Sequence, residues 1–410
     1  VSTRFTGTDG VSLETEKWSN SLIGMGHECF FFAGESDRPE ESTYLVPEAH
    51  FKHPEIEALN SDLFDDYVRS IQTSGKIQAL RYHIKQHLYE FVRSFKLELL
   101  IVENALSLPM NVPLGLALTE FIAETQIPTI AHHHDFAWER SRFSVNSAND
   151  YLGAAFPPNL PAIRHVVINS FAARQLALRT GASSTLIPNV MDFDNPPPQP
   201  DETSARVRSS LGIEEETHFL LQPTRIVPRK RIELAIELAH RIELPCVLVI
   251  THASGDEGSD YESYLRDYAR ILNVKVVFGS DIVNHSRGET PDGREIFSLA
   301  DAYQQADLVT YPSTIEGFGN AFLETIYFGR PLVISSYEIF KTDIQPKGFQ
   351  VIGFDDFIQE VTVKRTREIL SNSDLRAEMT ANNYEIGRRY YSFRTLEANL
   401  TVLIQECLGV

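Results

Sequence analysis

The chain has 410 residues, 42% of them apolar and 23% charged, with a formal net charge of −19. That length exceeds one ordinary core and predicts two domains, and the composition is that of a globular chain, not a disordered one. The acidity argues against nucleic acid as a partner, which needs clustered Lys and Arg, and against stable association with an anionic membrane. Cys29, Cys246 and Cys407 stand apart from one another, which fits neither a disulfide framework nor a zinc site. No apolar run approaches the roughly 18 residues of a spanning helix and no signal peptide opens the chain, so a cytoplasmic location is expected.

The chain opens as the end of a strand, a loop bearing Gly7 and Gly10, a helix from about Ser12 that Gly24 and Gly26 terminate, and a strand over 28–33. This is a βαβ start. A single Gly-bearing loop serves as well for a plain tight turn as for a phosphate. Residues 39–95 are polar and helical in pattern, most clearly over 80–95. His83 and His87 lie four apart there, but no Glu follows His83 in the metalloprotease manner, and a solvated or packed pair is expected.

A strand over 97–103 and a helix through 114–124 lead to His132-His133-His134-Asp135. Successive side chains on an extended strand end point to opposite sides, so His132 and His134 can share a face. Open α/β sheets bind ligands at the carboxyl ends of their strands, and these histidines are therefore read as substrate contacts in preference to a metal site. The following Phe136-Ala137-Trp138-Glu139-Arg140 suits a sugar-binding lip or a loop packed under a domain interface. After a strand over 165–169 and a helix over 171–179, the segment Asn195-Pro-Pro-Pro-Gln-Pro200 is stiff and extended. It predicts a first domain of 1–194, a linker of 195–203, a second domain of 204–388 and a terminal helix, 389–410, packing back on the first. Asp192-Phe193-Asp194 has the Asp-x-Asp pattern of some metal sites, but its place beside the prolines argues against that role.

The second half is again α/β. Strands are expected over 219–223, 247–251 and 274–278, helices over 261–272 and 297–305, and a long polar loop over 279–295. Residues 224–231, with Arg225, Arg229, Lys230 and Arg231, are expected to open a helix. Cations at a helix N-terminus oppose its dipole, so their cluster in an acidic chain suggests a bound anion, with Arg225 and Lys230 as diphosphate ligands. The stretch 306–335 then reads as a strand, the loop TIEGFGN, a helix capped by Asn320 and ended by Gly329 and Pro331, and another strand. A strand, a glycine-bearing loop and a helix N-terminus make an anion site. Glu316 and Glu324, seven residues between them, add two acceptors suited to sugar hydroxyls. Spacing alone serves equally a solvated loop carboxylate and one that complements the helix dipole. Helices are expected over 357–370, 375–388 and 396–407.

The run EGFGNAFLE…GRPLVI, with Glu316 and Glu324, closely resembles the signature of retaining glycosyltransferase family 4. Arg225 and Lys230 match that family's Arg and Lys, and GMGHECFFF, IPTIAHHHD and LIPNVMD resemble, more loosely, its first-domain motifs. Two departures stand out: Thr251-His252-Ala253 lacks the usual glycine, and Asn320 replaces a common Leu.

The resemblance implies an α/β fold of GT-B architecture, two Rossmann-like domains facing a cleft. It further implies that Glu324 holds ribose hydroxyls, Glu316 holds the donor sugar, the amides of Gly317, Phe318, Gly319 and Asn320 contact sugar and phosphate, and Arg225 and Lys230 stabilise the leaving diphosphate without metal. His134 would approach the reacting sugar. Gly7 and Gly10 join the donor-binding set, and the acceptor is expected over the first domain near them, with His132, His133, Asp135, Trp138 and Arg140 as contacts. The expected activity is retaining, metal-independent and cofactor-free transfer of a hexose from a GDP- or UDP-sugar to a small soluble acceptor. A nucleotide-sugar epimerase of similar build and a non-catalytic nucleotide-sugar sensor are the rivals. The sequence names neither base, sugar nor acceptor, and leaves the oligomeric state open.

Overall fold

The computed structural model describes residues 1–7, 10–254 and 260–409. The chain divides into two compact units, Val1–Asn189 with Arg394–Val410, and Val190–Phe393. Where a division after 194 was expected, residues 190–194 join the second unit. The reason is Phe193, which is buried and packs edge-on to Tyr384, while the Tyr384 hydroxyl donates to the Phe193 carbonyl at 3.1 Å. A Cβ on Gly387 would meet the Phe193 ring at 2.6 Å, so only glycine admits it there. The Asp-x-Asp pattern is thus an anchor, with Asp192 accepting from the Asn195 amide group.

Unit 1 runs α1 Gly10–Gly24, β1 Phe31–Ala33, β2 Thr43–Leu45, α2 Pro54–Leu63, α3 Ile71–Phe95, β3 Leu100–Glu103, α4 Val112–Thr125, β4 Thr129–His133, α5 Asn149–Ala155, β5 Ile163–Val167, α6 Ser170–Thr180 and β6 Ser184–Leu186. Strands β3-β4-β5-β6 form a parallel sheet and β1 pairs in parallel with β2. The extended residues 1–5 join the two. The Ser2 amide donates to the Phe32 carbonyl at 3.1 Å, and the Glu103 amide to the Val1 carbonyl at 2.9 Å. The chain therefore steps from residues 1–5 outward through β1 and β2, then returns to the other side through β3. That reversal leaves a crevice at the carboxyl ends of residues 1–5 and β3. Phe32, Val102, Leu118, Phe121 and Ile163 fill the core beneath. Helix α3 takes in the clearest part of the expected helical region, 80–95, and starts at Ile71, where Ser70 caps it by accepting from the Thr73 amide at 3.0 Å.

Unit 2 runs α7 Glu202–Ser210, β7 His218–Gln222, α8 Ile232–Arg241, β8 Cys246–Ile250, α9 Asp260–Ile271, β9 Val276–Phe278, β10 Val283–Asn284, β11 Gly288–Glu289, β12 Glu295–Ser298, α10 Leu299–Gln305, β13 Leu308–Tyr311, α11 Asn320–Tyr327, β14 Leu332–Ser335, β15 Ile352–Phe354, α12 Glu360–Ser371 and α13 Ser373–Tyr391. The last helix, α14 Phe393–Leu408, returns the chain to unit 1. The main sheet is parallel in the order β15-β14-β13-β7-β8-β9, and its reversal falls between β7 and β13. Thr310 ties that junction together, its hydroxyl donating to the Gln222 side chain at 2.7 Å.

Two expectations fail here. The loop expected over 279–295 contains β10 and β11, which with β12 make a small sheet, and β12 takes the first residues of the helix expected at 297. Strands of only two residues carry no alternation to read. Among the described residues no helix is long and apolar enough to cross a membrane.

Candidate active site

In unit 2 the two loops at the β7–β13 reversal carry the sequence-predicted charges. Residues 224–231 do not open a helix as expected: Pro228–Lys230 is one 3-10 turn, Arg231 has φ +47°, and α8 starts only at Ile232. The turn buries Lys230, whose ammonium forms a close ion pair with Glu316, while Arg229 stands 3.7 Å from the other Glu316 oxygen. The Thr314 amide donates to the Arg229 carbonyl at 2.9 Å, so backbone as well as charge joins the loops. Burial holds Lys230 below the usual lysine range; Glu316 opposes this, and Arg229 and Arg225 add to it. An amine so placed gains from a further anion. Arg225 is exposed, and it and Lys230 both act electrostatically on His252, which burial first of all pulls down to about 4. The strand end without the usual glycine therefore supplies a neutral imidazole beside two cations. Its Nδ1 lies 2.9 Å from the Thr251 hydroxyl.

The glycine loop is shaped by packing. Gly319 has φ +113°, and a Cβ there would stand 2.8 Å from the Tyr337 hydroxyl and 3.2 Å from Tyr311. Gly319, not Asn320, is the residue preceding the helix, which corrects the expected cap: the left-handed backbone that turns the loop into α11 is one that glycine adopts. Tyr337 donates to the Phe318 carbonyl at 2.7 Å, and Phe318 is buried against Tyr391 at 5.2 Å between rings. Phe318 thus offers a ligand backbone only. Glu324 accepts from Tyr303 at 2.9 Å, a fixed orientation that sequence spacing did not reveal.

In unit 1 the histidine run alternates as its strand geometry requires. Glu103 and His132 are register partners on β3 and β4, and one Glu103 oxygen lies 2.9 Å from His132 Nδ1 and 3.1 Å from His134 Nε2. Burial pushes Glu103 up, but His132 and His134 outweigh it and hold the carboxyl well below its usual range. His134 is raised: burial lowers it, but Glu103 prevails. These three residues are the one group among those described whose His and carboxylate atoms all lie within 4.8 Å, and thus the one with metal-ligand spacing. The His134 contact is a charge-assisted hydrogen bond, whereas His132 Nδ1 meets the same oxygen only as an ion-pair contact, and both His132 nitrogens and the second Glu103 oxygen are buried without a hydrogen-bond partner among the described residues.

His132 is fully buried and stacks on Trp18 at 4.1 Å; His133 is fully buried and meets His165 Nδ1 at 2.9 Å. Neither has surface to offer an acceptor, which corrects their assignment. Trp18, Glu103 and Asn104 carried no sequence signal strong enough to mark them. Asn104, φ +58°, accepts from the His134 amide at 2.7 Å and so fixes the turn after β4. Asp135 pairs with Arg140 at 2.7 Å, and Trp138 stacks on Phe136 at 4.4 Å beneath Arg179. Gly7 has φ +76° and donates to Asp37 at 3.3 Å; Gly10 begins α1, and residues 8 and 9 between them lie outside the described residues. His83 and His87 face Glu48 and Glu90 at 3.4 and 3.5 Å.

Two parallel α/β units, each with a charged crevice at its sheet reversal, have the fold of the GT-B class. The family description "Glycosyl transferases group 1" matches residues 293–386, which include both Glu316 and Glu324. The chain is 32% identical to the mannosylglucosylglycerate synthase of Thermotoga maritima over 425 aligned positions, 95% of each chain, and 35% identical to that of Petrotoga mobilis over 370, 84% of each. It belongs to this glycosyltransferase family. A glycosyltransferase of Rickettsia africae ESF-5 shares the fold with a TM-score of 0.68 at 12% identity, over 99% of this chain and 97% of that one.

Proposed function

We propose that the chain transfers a hexose, with retention and without metal, from a nucleotide-diphosphate sugar, GDP- or UDP-linked, to a hydroxyl of a small soluble acceptor. Mannose and a glucosylglycerate acceptor are the pair that its relatives' names suggest. The observation that carries the reading is the meeting of Lys230 with Glu316 at the β7–β13 reversal, Arg225 acting on the same group. The donor diphosphate would pair with Lys230 and Arg225, its ribose with Glu324 and its sugar with Glu316. His134, whose pKa Glu103 raises against the effect of burial, would donate to a sugar hydroxyl. In the reacting step the acceptor oxygen bonds to the anomeric carbon as the bond to phosphate breaks on the same face, and the acceptor proton passes to the departing phosphate. Two cations aimed at that phosphate stabilise the charge it develops.

The test is incubation with GDP-mannose and, separately, UDP-glucose in the presence of glucosylglycerate, with the product's anomeric configuration read by NMR. An α-linked product from one donor is expected. A β-linked product would overturn retention. Donor turnover without acceptor would favour an epimerase, and donor binding with neither transfer nor slow hydrolysis a sensor.

A further inference from the structure

We propose that the crevice of unit 1 is an anion subsite in which Arg142, with Arg4 bordering the same cavity, grips the carboxylate of an acidic acceptor. This rests on the acceptor class proposed above and assigns it to particular residues. The cavity has a volume of about 540 Å³ and opens at the carboxyl ends of residues 1–5 and β3, where the sheet reverses. A space of that size suits a small ligand. In a chain of net charge −19, three arginines border it.

Their environments differ. Arg140 is neutralised by Asp135 at 2.7 Å, and Arg4 lies over the Phe51 ring at 5.2 Å. Arg142 has no carboxylate in ion-pair range among the described residues. Its Nη2 is directed at the Met110 thioether, a weak acceptor, and its guanidinium lies over Phe143 at 4.6 Å. Partial burial, and then the neighbouring Arg140, pull Arg142 below the usual arginine range, while Asp135 opposes. Arg142 is nonetheless exposed, and its guanidinium stays protonated, so it presents a charge that an entering anion can meet. A carboxylate matches it because two parallel N–H groups meet two oxygens. Asp135, Glu139 and Glu103 border the same cavity, but each is already committed, to Arg140, to the Phe136 amide and to the histidines respectively. They remain as acceptors for hydroxyls, so the subsite distinguishes an acidic sugar derivative from a neutral one by Arg142.

The experiment is calorimetric titration of glucosylglycerate and of its neutral analogue glucosylglycerol into the wild type, Arg142→Gln and Arg142→Lys, each checked for cooperative melting, together with the transfer assay. The wild type is expected to bind the acid at least tenfold more tightly than the neutral analogue. Arg142→Gln should abolish that preference, and Arg142→Lys, which keeps the charge but not the fork, should restore part of it. Equal binding of acid and analogue by the wild type, no binding of either, or a preference undiminished in Arg142→Gln would overturn the subsite. Charge-selective binding lost in Arg142→Gln, yet without transfer in the wild type, would support the subsite and overturn the transferase reading instead.

Discussion

Lys230 is held by burial, one carboxylate and two neighbouring guanidinium groups, and its replacement removes the cation on which the proposed chemistry depends. Lys230→Ala should lower transfer by at least about a hundredfold, the scale of losing one preorganised charge donor, while the protein still melts cooperatively. Undiminished turnover with the proposed donor would refute its role at the leaving group. A second residue-scale prediction concerns acid. Burial pulls His165 down to about 4 and His133 well below its usual value, so the unfolded chain takes up protons that the native pair refuses. Stability is therefore complete above pH 6.5, the ordinary histidine value, and lost as pH falls through 4. His165 alone accounts for about 3 kcal/mol of this loss. Urea unfolding at pH 7 and pH 4.5 should show a smaller drop for His165→Gln than for the wild type; an equal drop would place the acid sensitivity elsewhere. Charge type and spacing singled out Lys230, Glu316 and His134 in the sequence, and the structure sets Lys230 against Glu316 and His134 against Glu103. His132 and His133 were misread because alternation says which residues share a side of a strand, and nothing of which side is covered.

Elements were legible where burial imposes a period. The apolar runs of β7, β8 and β13 emerged within a residue or two of their positions, because strands covered on both faces must be apolar throughout. The basic turn before α8 did not. Its 3-10 geometry and the positive φ of Arg231 accompany the pairing of Lys230 with a residue 86 positions away, which no local pattern records. Gly319 shows the same dependence in a testable form. An alanine there meets Tyr337 and Tyr311 and must hold a left-handed backbone, a strain of about 1–3 kcal/mol. Gly319→Ala should fold with a lowered melting temperature and bind the nucleotide-sugar donor at least tenfold more weakly by calorimetry. Unchanged donor affinity would show that the turn into α11 does not shape the donor site.

At the scale of the molecule, cations are scarce and concentrated. With 37 Lys and Arg against 56 Asp and Glu, the two crevices nonetheless collect Arg225, Arg229 and Lys230 in one unit and Arg4, Arg140 and Arg142 in the other. Protein cations beside the leaving group can replace a metal there, so activity should persist in excess EDTA. Inhibition reversed by Mn²⁺ would overturn metal independence. By itself the sequence determined the α/β class, the glycine loop with its two glutamates and the cationic turn, since these depend on local pattern and on residue chemistry. Only the tertiary structure decided that Glu103 joins His132 and His134, that Phe193 carries residues 190–194 into the second unit, and that Arg142 borders a cavity without a carboxylate of its own. Each of these depends on which distant residue, if any, stands beside a given side chain, and sheet order decides that where spacing along the chain cannot.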